Sequence, residues 1–179
     1  METLQVKDKK FAVSLPESEI LRQVKRVASE INRDFAGKEP LFLAILNGSF
    51  IFAADLMREI TLPSQISFVK LASYAGTSST GVVREMIGLD TDIEGRDVII
   101  VEDIIDSGLT MKHLIDDLKR HNPQSISICT LLLKPDNLKV DLDIAYTCIC
   151  IPNDFILGYG LDYDGFGRNT KDIYTVVEE

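Results

Sequence analysis

Val98-Ile-Ile-Val-Glu-Asp-Ile-Ile-Asp-Ser-Gly-Leu-Thr110 decides how this chain is read. Its first four residues are all β-branched and apolar. Such a run, preceded by the polar residues 94–97, predicts a strand buried on both faces. Glu102 and Asp103 follow at the end of that strand and begin a turn, and Asp106 comes after it. Carboxylates seldom stand against a core without a partner. Three within five positions therefore point to a ligand rich in hydroxyl groups or positive charge. Ser107-Gly108-Leu109-Thr110 then opens an amphipathic helix with Met111, Leu114, Ile115 and Leu118 on one face. A glycine and two hydroxyl residues at the mouth of a helix make an anion site, because backbone N–H groups and the positive end of the helix dipole point into it. Acidic groups beside a phosphate cradle suit a ribose phosphate. Taken singly, each of these residues reads as a helix cap or a solvated charge; only their order sets them apart.

Working outward, apolar segments of strand length alternate with helical patterns. Residues 41–46, 66–71, 82–87, 125–133, 144–151 and 173–177 read as strands, and 11–15 as a short edge strand. Ile20, Val24, Val27, Ala28 and Ile31 recur at helical spacing after Pro16, and a second helix is expected over residues 51–59. This alternation predicts an α/β fold with a mainly parallel, doubly wound sheet flanked by helices. Ligands of such sheets bind at the carboxyl ends of the strands, near the switch in strand order. Leu46-Asn47-Gly48, Glu102-Asp103-Asp106 and Lys134 all follow apolar strands and should meet at that edge. Residues 73–81, small and polar, are expected to form a mobile loop.

The 179 residues suit a single domain spanning 1–179. A formal net charge of -9 argues against nucleic acid as a partner, since such proteins usually show a basic face. No apolar run is long enough to span a membrane, and the first residues lack a signal-peptide layout. Cys129, Cys148 and Cys150, odd in number and without CxxC spacing, read as reduced core residues of a cytoplasmic protein. His113 and His121 are expected in solvent, without catalytic roles. No G-x-G-x-x-G follows a strand, which excludes a dinucleotide-binding reading.

The run Glu-Asp-(apolar)-(apolar)-Asp-Ser-Gly-x-Thr resembles the signature of the type I phosphoribosyltransferases. Leu46-Asn-Gly-Ser49, Ser73-Tyr74, Lys134 and the tail Phe155-Ile-Leu-Gly-Tyr-Gly-Leu-Asp-Tyr-Asp-Gly-Phe-Gly-Arg168 narrow the resemblance to the hypoxanthine (hypoxanthine-guanine) phosphoribosyltransferases, over nearly the whole chain. The resemblance implies the type I phosphoribosyltransferase fold, with a small hood formed by the N- and C-terminal segments. It also implies purine salvage: hypoxanthine or guanine and 5-phosphoribosyl 1-diphosphate become IMP or GMP and diphosphate, with Mg²⁺. By position, Asp106 is the general base at purine N7, and Ser107, Gly108, Leu109 and Thr110 hold the 5-phosphate. Glu102 and Asp103 take the ribose hydroxyls and reach a metal ion, and Asp162 helps hold a second. Lys134 donates to purine O6, Phe155 stacks on the base, and the Ile156 backbone reads its edge. Leu46, Asn47 and Gly48 present backbone groups to the diphosphate, through a non-proline cis peptide in this reading. Arg168 meets the leaving diphosphate, and Ser73 and Tyr74 lie on a closing loop. Many relatives carry a basic residue in place of Asn47, so its implied role is through the backbone. Lys134 is followed by Pro135-Asp136, without the basic residues some relatives place there. A homodimer or homotetramer is implied by the resemblance alone. The competing readings are a phosphoribosyltransferase for xanthine, one for a pyrimidine, against which the tail counts, and a regulator sensing phosphoribosyl diphosphate, against which the acidic charge counts.

Overall fold

The structure is a computed structural model; it describes residues 3–75 and 82–177, with side chains described outside residues 72–85. β3 (Leu41–Leu46) and β6 (Asp97–Ile105) lie side by side and in parallel at the centre of a six-stranded sheet. β4 (Gln65–Ala75) flanks β3, and β5 (Val82–Ile87) returns antiparallel along its outer side. Beyond β6 come β7 (Ser125–Leu133) and β8 (Tyr146–Cys150), both parallel. The sheet order is β5-β4-β3-β6-β7-β8.

The period-2 geometry of a strand sends successive side chains to opposite faces. Phe42, Ala44, Ile99 and Val101 enter one core, and Leu41, Leu43, Ile45, Val98 and Ile100 enter the other. The first core is covered by α1 (Glu17–Asp34) and α2 (Phe50–Glu59), the second by α3 (Leu109–Lys119). Ile20, Val24, Val27, Ala28 and Ile31 form the buried stripe of α1, and Met111, Leu114 and Leu118 that of α3. Fully burying such a side chain is worth about 1.5–3 kcal/mol. A two-sided core therefore requires the uninterrupted apolar runs of β3 and β6. His113 and His121 are exposed.

A second sheet, antiparallel, joins the two ends of the chain: β1 (Thr3–Val6), β2 (Lys9–Leu15), β10 (Ile173–Val176) and β9 (Ile156–Leu157), in that order. This is the hood. β2 is not an edge strand as expected from its partial alternation, because β1 and β10 pair with it on either side. β6 also departs from expectation: it runs on through Glu102 and Asp103 to Ile105, so both carboxylates stand on the strand itself rather than in a turn. Cys129 and Cys148 are buried, but Cys150, expected in the core, is exposed at the end of edge strand β8. No described helix is long and apolar enough to cross a membrane.

Candidate active site

β4 lies on one side of β3 and β6 on the other, so the strand order switches between β3 and β6. The crevice expected at such a point lies between the carboxyl ends of these two strands. Beyond β3 the Leu46–Asn47 peptide is cis. The next residue, Gly48, has no room for a side chain: a Cβ there would lie 1.7 Å from Asp103 Oδ2. The C-terminal tail also approaches Gly48 closely, since a Cβ on Gly160 would fall 2.2 Å from the Gly48 carbonyl oxygen. Two glycines thus bring the β3 loop, a β6 carboxylate and the tail into one contact.

On β6, Glu102 is buried and accepts a hydrogen bond from the Asp103 backbone N–H at 3.0 Å. Burial, and then the neighbouring Asp103 carboxylate, push its pKa well above the usual range, toward the neutral acid. Asp103 Oδ1 accepts from Ile104 N–H at 2.8 Å. Residues 106–108 then turn into α3, with Gly108 at φ +80. That is the left-handed region that side chains disfavour. A Cβ on Gly108 would press on Leu142, Val140 and Leu138 at 2.8–3.2 Å, so these three apolar side chains form the floor of this turn. Glu102, Asp103, Asp106, Ser107, Gly108, Thr110 and Met111 line a cavity of about 220 Å³ at this helix start. A larger hollow of about 560 Å³ opens near the amino end of β7, between Lys112, Ser125 and Leu142. It contains none of the site residues expected from the sequence.

Asp106 does not cap the helix. Gly108 stands at the N-cap and has no side chain to cap with, and the first helical N–H, that of Leu109, is met by Ser107 Oγ at 3.4 Å rather than by Asp106. Instead Asp106 Oδ2 meets Lys134 Nζ at 3.4 Å, and Oδ1 accepts a hydrogen bond from the Asn137 amide. Lys134 is a largely covered cation, its side chain 12% exposed against 48% for Asp106. It stands just beyond β7, where its backbone N–H bonds to Ile105 O at 3.0 Å. Asn137 closes the short 3-10 turn Pro135–Asn137 and was not singled out from the sequence.

The hood contributes Phe155, 44% exposed, whose ring packs edge-on to Tyr163 at 5.4 Å and against Phe11 at 6.1 Å. Ile156 pairs with Thr175 and buries its side chain. Asp162 and Arg168 form an ion pair at 2.9 Å. Arg168 also donates to Gly160 O at 2.7 Å, and Asp162 Oδ2 accepts from Gly165 N–H at 2.6 Å. Buried Tyr159 ties this tail to α2 through its hydroxyl, which donates to Asp55 at 2.5 Å. Among the described residues no three of His, Cys, Asp and Glu gather as a ready-made metal group, Glu102, Asp103 and Asp162 included. Ser73 and Tyr74 belong to β4 rather than to a loop, and residues 76–81 of the expected closing loop lie outside the described residues.

The family profile described as phosphoribosyl transferase domain matches residues 15–164. The hypoxanthine-guanine phosphoribosyltransferase of Mycobacterium avium is 45% identical over 172 residues, covering 92% of this chain and 85% of the relative. That of Streptococcus agalactiae is 42% identical over 164 residues, 91% of each chain. The crystal structure of a Bacillus anthracis hypoxanthine-guanine phosphoribosyltransferase superposes with a TM-score of 0.83 at 41% identity, covering 93% of this chain and 97% of the other. A Trypanosoma cruzi hypoxanthine phosphoribosyltransferase variant, solved as a ternary substrates complex, reaches 0.86 at 32% identity, covering 92% and 94%. Likeness in sequence and in architecture thus extends over more than nine-tenths of the chain, and the chain belongs to the phosphoribosyl transferase family, among its hypoxanthine-guanine phosphoribosyltransferases.

Proposed function

We propose that this chain transfers the 5-phosphoribosyl group from its 1-diphosphate to N9 of hypoxanthine or guanine, giving IMP or GMP and diphosphate. One observation carries the reading. A carboxylate and an ammonium group, Asp106 and Lys134, stand 3.4 Å apart at the mouth of a glycine-containing helix start. A 6-oxopurine offers complementary groups: an N7–H for the carboxylate and an O6 for the ammonium. Residues 107–110 receive the 5-phosphate through backbone N–H groups and hydroxyls. Glu102 and Asp103 face the ribose hydroxyls, and the 46–48 backbone and Arg168 face the diphosphate. Phe155 offers its exposed ring to the base, beside the Ile156 backbone. The protein works as a homodimer or homotetramer in the cytoplasm.

The donor set fits Mg²⁺, a hard cation that takes one or two carboxylates alongside substrate phosphate oxygens and water. Asp103 and Asp162 supply such oxygens, with Glu102 behind Asp103. The bound ion would neutralise charge on the departing diphosphate. Asp162→Asn is expected to raise the Mg²⁺ concentration for half-maximal rate severalfold, because an amide oxygen is the weaker ligand. A titration curve that overlays the wild type would remove Asp162 from the metal.

The direct test is a spectrophotometric assay of the pure protein with the diphosphate sugar, Mg²⁺ and each base in turn. Turnover is expected with hypoxanthine and guanine. Turnover with xanthine or a pyrimidine alone would overturn the assignment.

A further inference from the structure

Asn137 holds the general base from a position that the sequence motif does not contain. Residues 134–139 run alongside residues 105–107, joined at three points besides the Lys134 ammonium on Asp106. Lys134 N–H donates to Ile105 O at 3.0 Å, and Lys139 N–H donates to Ser107 O at 2.9 Å. Between them the Asn137 side-chain amide donates to Asp106 Oδ1. The 3-10 turn that presents this amide is closed by Asn137 N–H on Lys134 O at 3.1 Å, so Lys134 and Asn137 are fixed relative to one another. Below, Leu138, Val140 and Leu142 pack where a Gly108 side chain would be, which anchors the segment under the phosphate turn.

The two Asp106 oxygens therefore have different partners: Lys134 stands at Oδ2, and the neutral amide of Asn137 stands at Oδ1. When a purine arrives, Lys134 can transfer its donation to O6 and leave Oδ2 to the N7 proton. The amide, which has no charge to lose to the ligand, stays on Oδ1. We propose that Asn137 is a positioning residue that fixes the Asp106 carboxylate through Oδ1 and so orients Oδ2 toward purine N7. This rests on Asp106 being the base, as proposed above. A donor on a carboxylate removes the rotation about its last bond that would otherwise spread the oxygen over many positions, and misplacement of a reacting group is costly in rate.

Turnover of five proteins tests this: the wild type, Asn137→Ala, Asn137→Asp, Asp106→Asn, and the Asn137→Ala, Asp106→Asn double variant. Asn137→Ala is expected to lower kcat by about tenfold, the order expected for one hydrogen bond to a charged group, with KM for the diphosphate sugar nearly unchanged. In the Asp106→Asn background the same change is expected to have almost no effect, since the group it positions no longer takes the proton. The isosteric Asn137→Asp variant, which sets a second carboxylate against the first, is expected to lose more than the Ala variant. An equal kcat loss from Asn137→Ala in both backgrounds would mean a merely structural role and overturn the proposal. Wild-type kcat in Asn137→Ala would overturn it too, while Asp106→Asn still reports on the base. Wild-type turnover in Asp106→Asn would instead remove the base assignment itself.

Discussion

Asp106→Asn is expected to lower kcat by roughly 10² or more, the usual span of general-base catalysis being about 10²–10⁴. Affinity for phosphoribosyl diphosphate should change only a few-fold. The purine sheds a proton as N9 bonds to the ribose carbon and the diphosphate departs with its electron pair. A carboxylate at N7 takes that proton, and in the reverse direction returns it to make the base a better leaving group. Asparagine keeps the shape and can still face Asn137 and Lys134, but it cannot accept the proton. The alternative role, a helix cap, would predict little change, because Asn caps as well as Asp. The geometry already counts against capping: residue 108 occupies the cap and Asp106 faces Lys134 and Asn137. Near-wild-type turnover by the pure variant would remove Asp106 from the mechanism.

Those parts of the molecule built by periodic patterns were legible in the sequence. Residues 41–46 and 125–133 match β3 and β7 residue for residue: the first is an unbroken apolar run whose stable home is a strand covered on both faces, and the second alternates Ser and Ile before a mostly apolar stretch of strand length. The α1 stripe is equally plain. Pairing was harder to read. Alternation in β2 shows one buried face, but not that β1 and β10 would occupy both of its edges. The strand continuing through Glu102 and Asp103 was hidden, because charged residues ordinarily end a strand. Here they persist since β7 pairs alongside as far as Leu133. The site divided in the same way. Asp106 and the phosphate turn lie in one contiguous motif. Asn137 is a common turn residue after a proline, and only the fold brings it to Asp106, 31 positions back. Asp162 was expected at a metal ion and Arg168 at the diphosphate, and in the structure each holds the other. The signal for their meeting is the row of glycines at 158, 160, 165 and 167, every one at positive φ, which folds the tail tightly on itself.

Gly160 shows how much of the site depends on that fold, and Gly160→Ala is expected to lower kcat/KM for phosphoribosyl diphosphate by at least tenfold while leaving the base pocket in place. Two effects combine. Its φ of +100 is costly for any residue with a Cβ, by roughly 1–3 kcal/mol. Beyond that, the new methyl would lie 2.2 Å from the Gly48 carbonyl oxygen, a backbone atom that cannot swing aside as a side chain would. Either the 46–48 loop or the tail must move. Moving the loop displaces the backbone groups proposed above to receive the diphosphate, and Gly48 in turn is packed on Asp103. Moving the tail breaks the Arg168 hydrogen bond to Gly160 O and shifts the Asp162–Arg168 pair with it. Both routes reach the diphosphate side of the crevice, whereas Asp106, Lys134 and Asn137 are held from β6 and β7. The comparator is Gly37→Ala, since Gly37 has φ +78 but nothing within 4 Å of its missing Cβ. It should show the backbone cost alone, as a modest fall in melting temperature with kinetics unchanged. If Gly160→Ala behaves like Gly37→Ala, with kcat/KM intact, the close approach of tail and loop has no part in binding the diphosphate. A rise in KM for the sugar with unaltered KM for the base would place the damage where the geometry puts it.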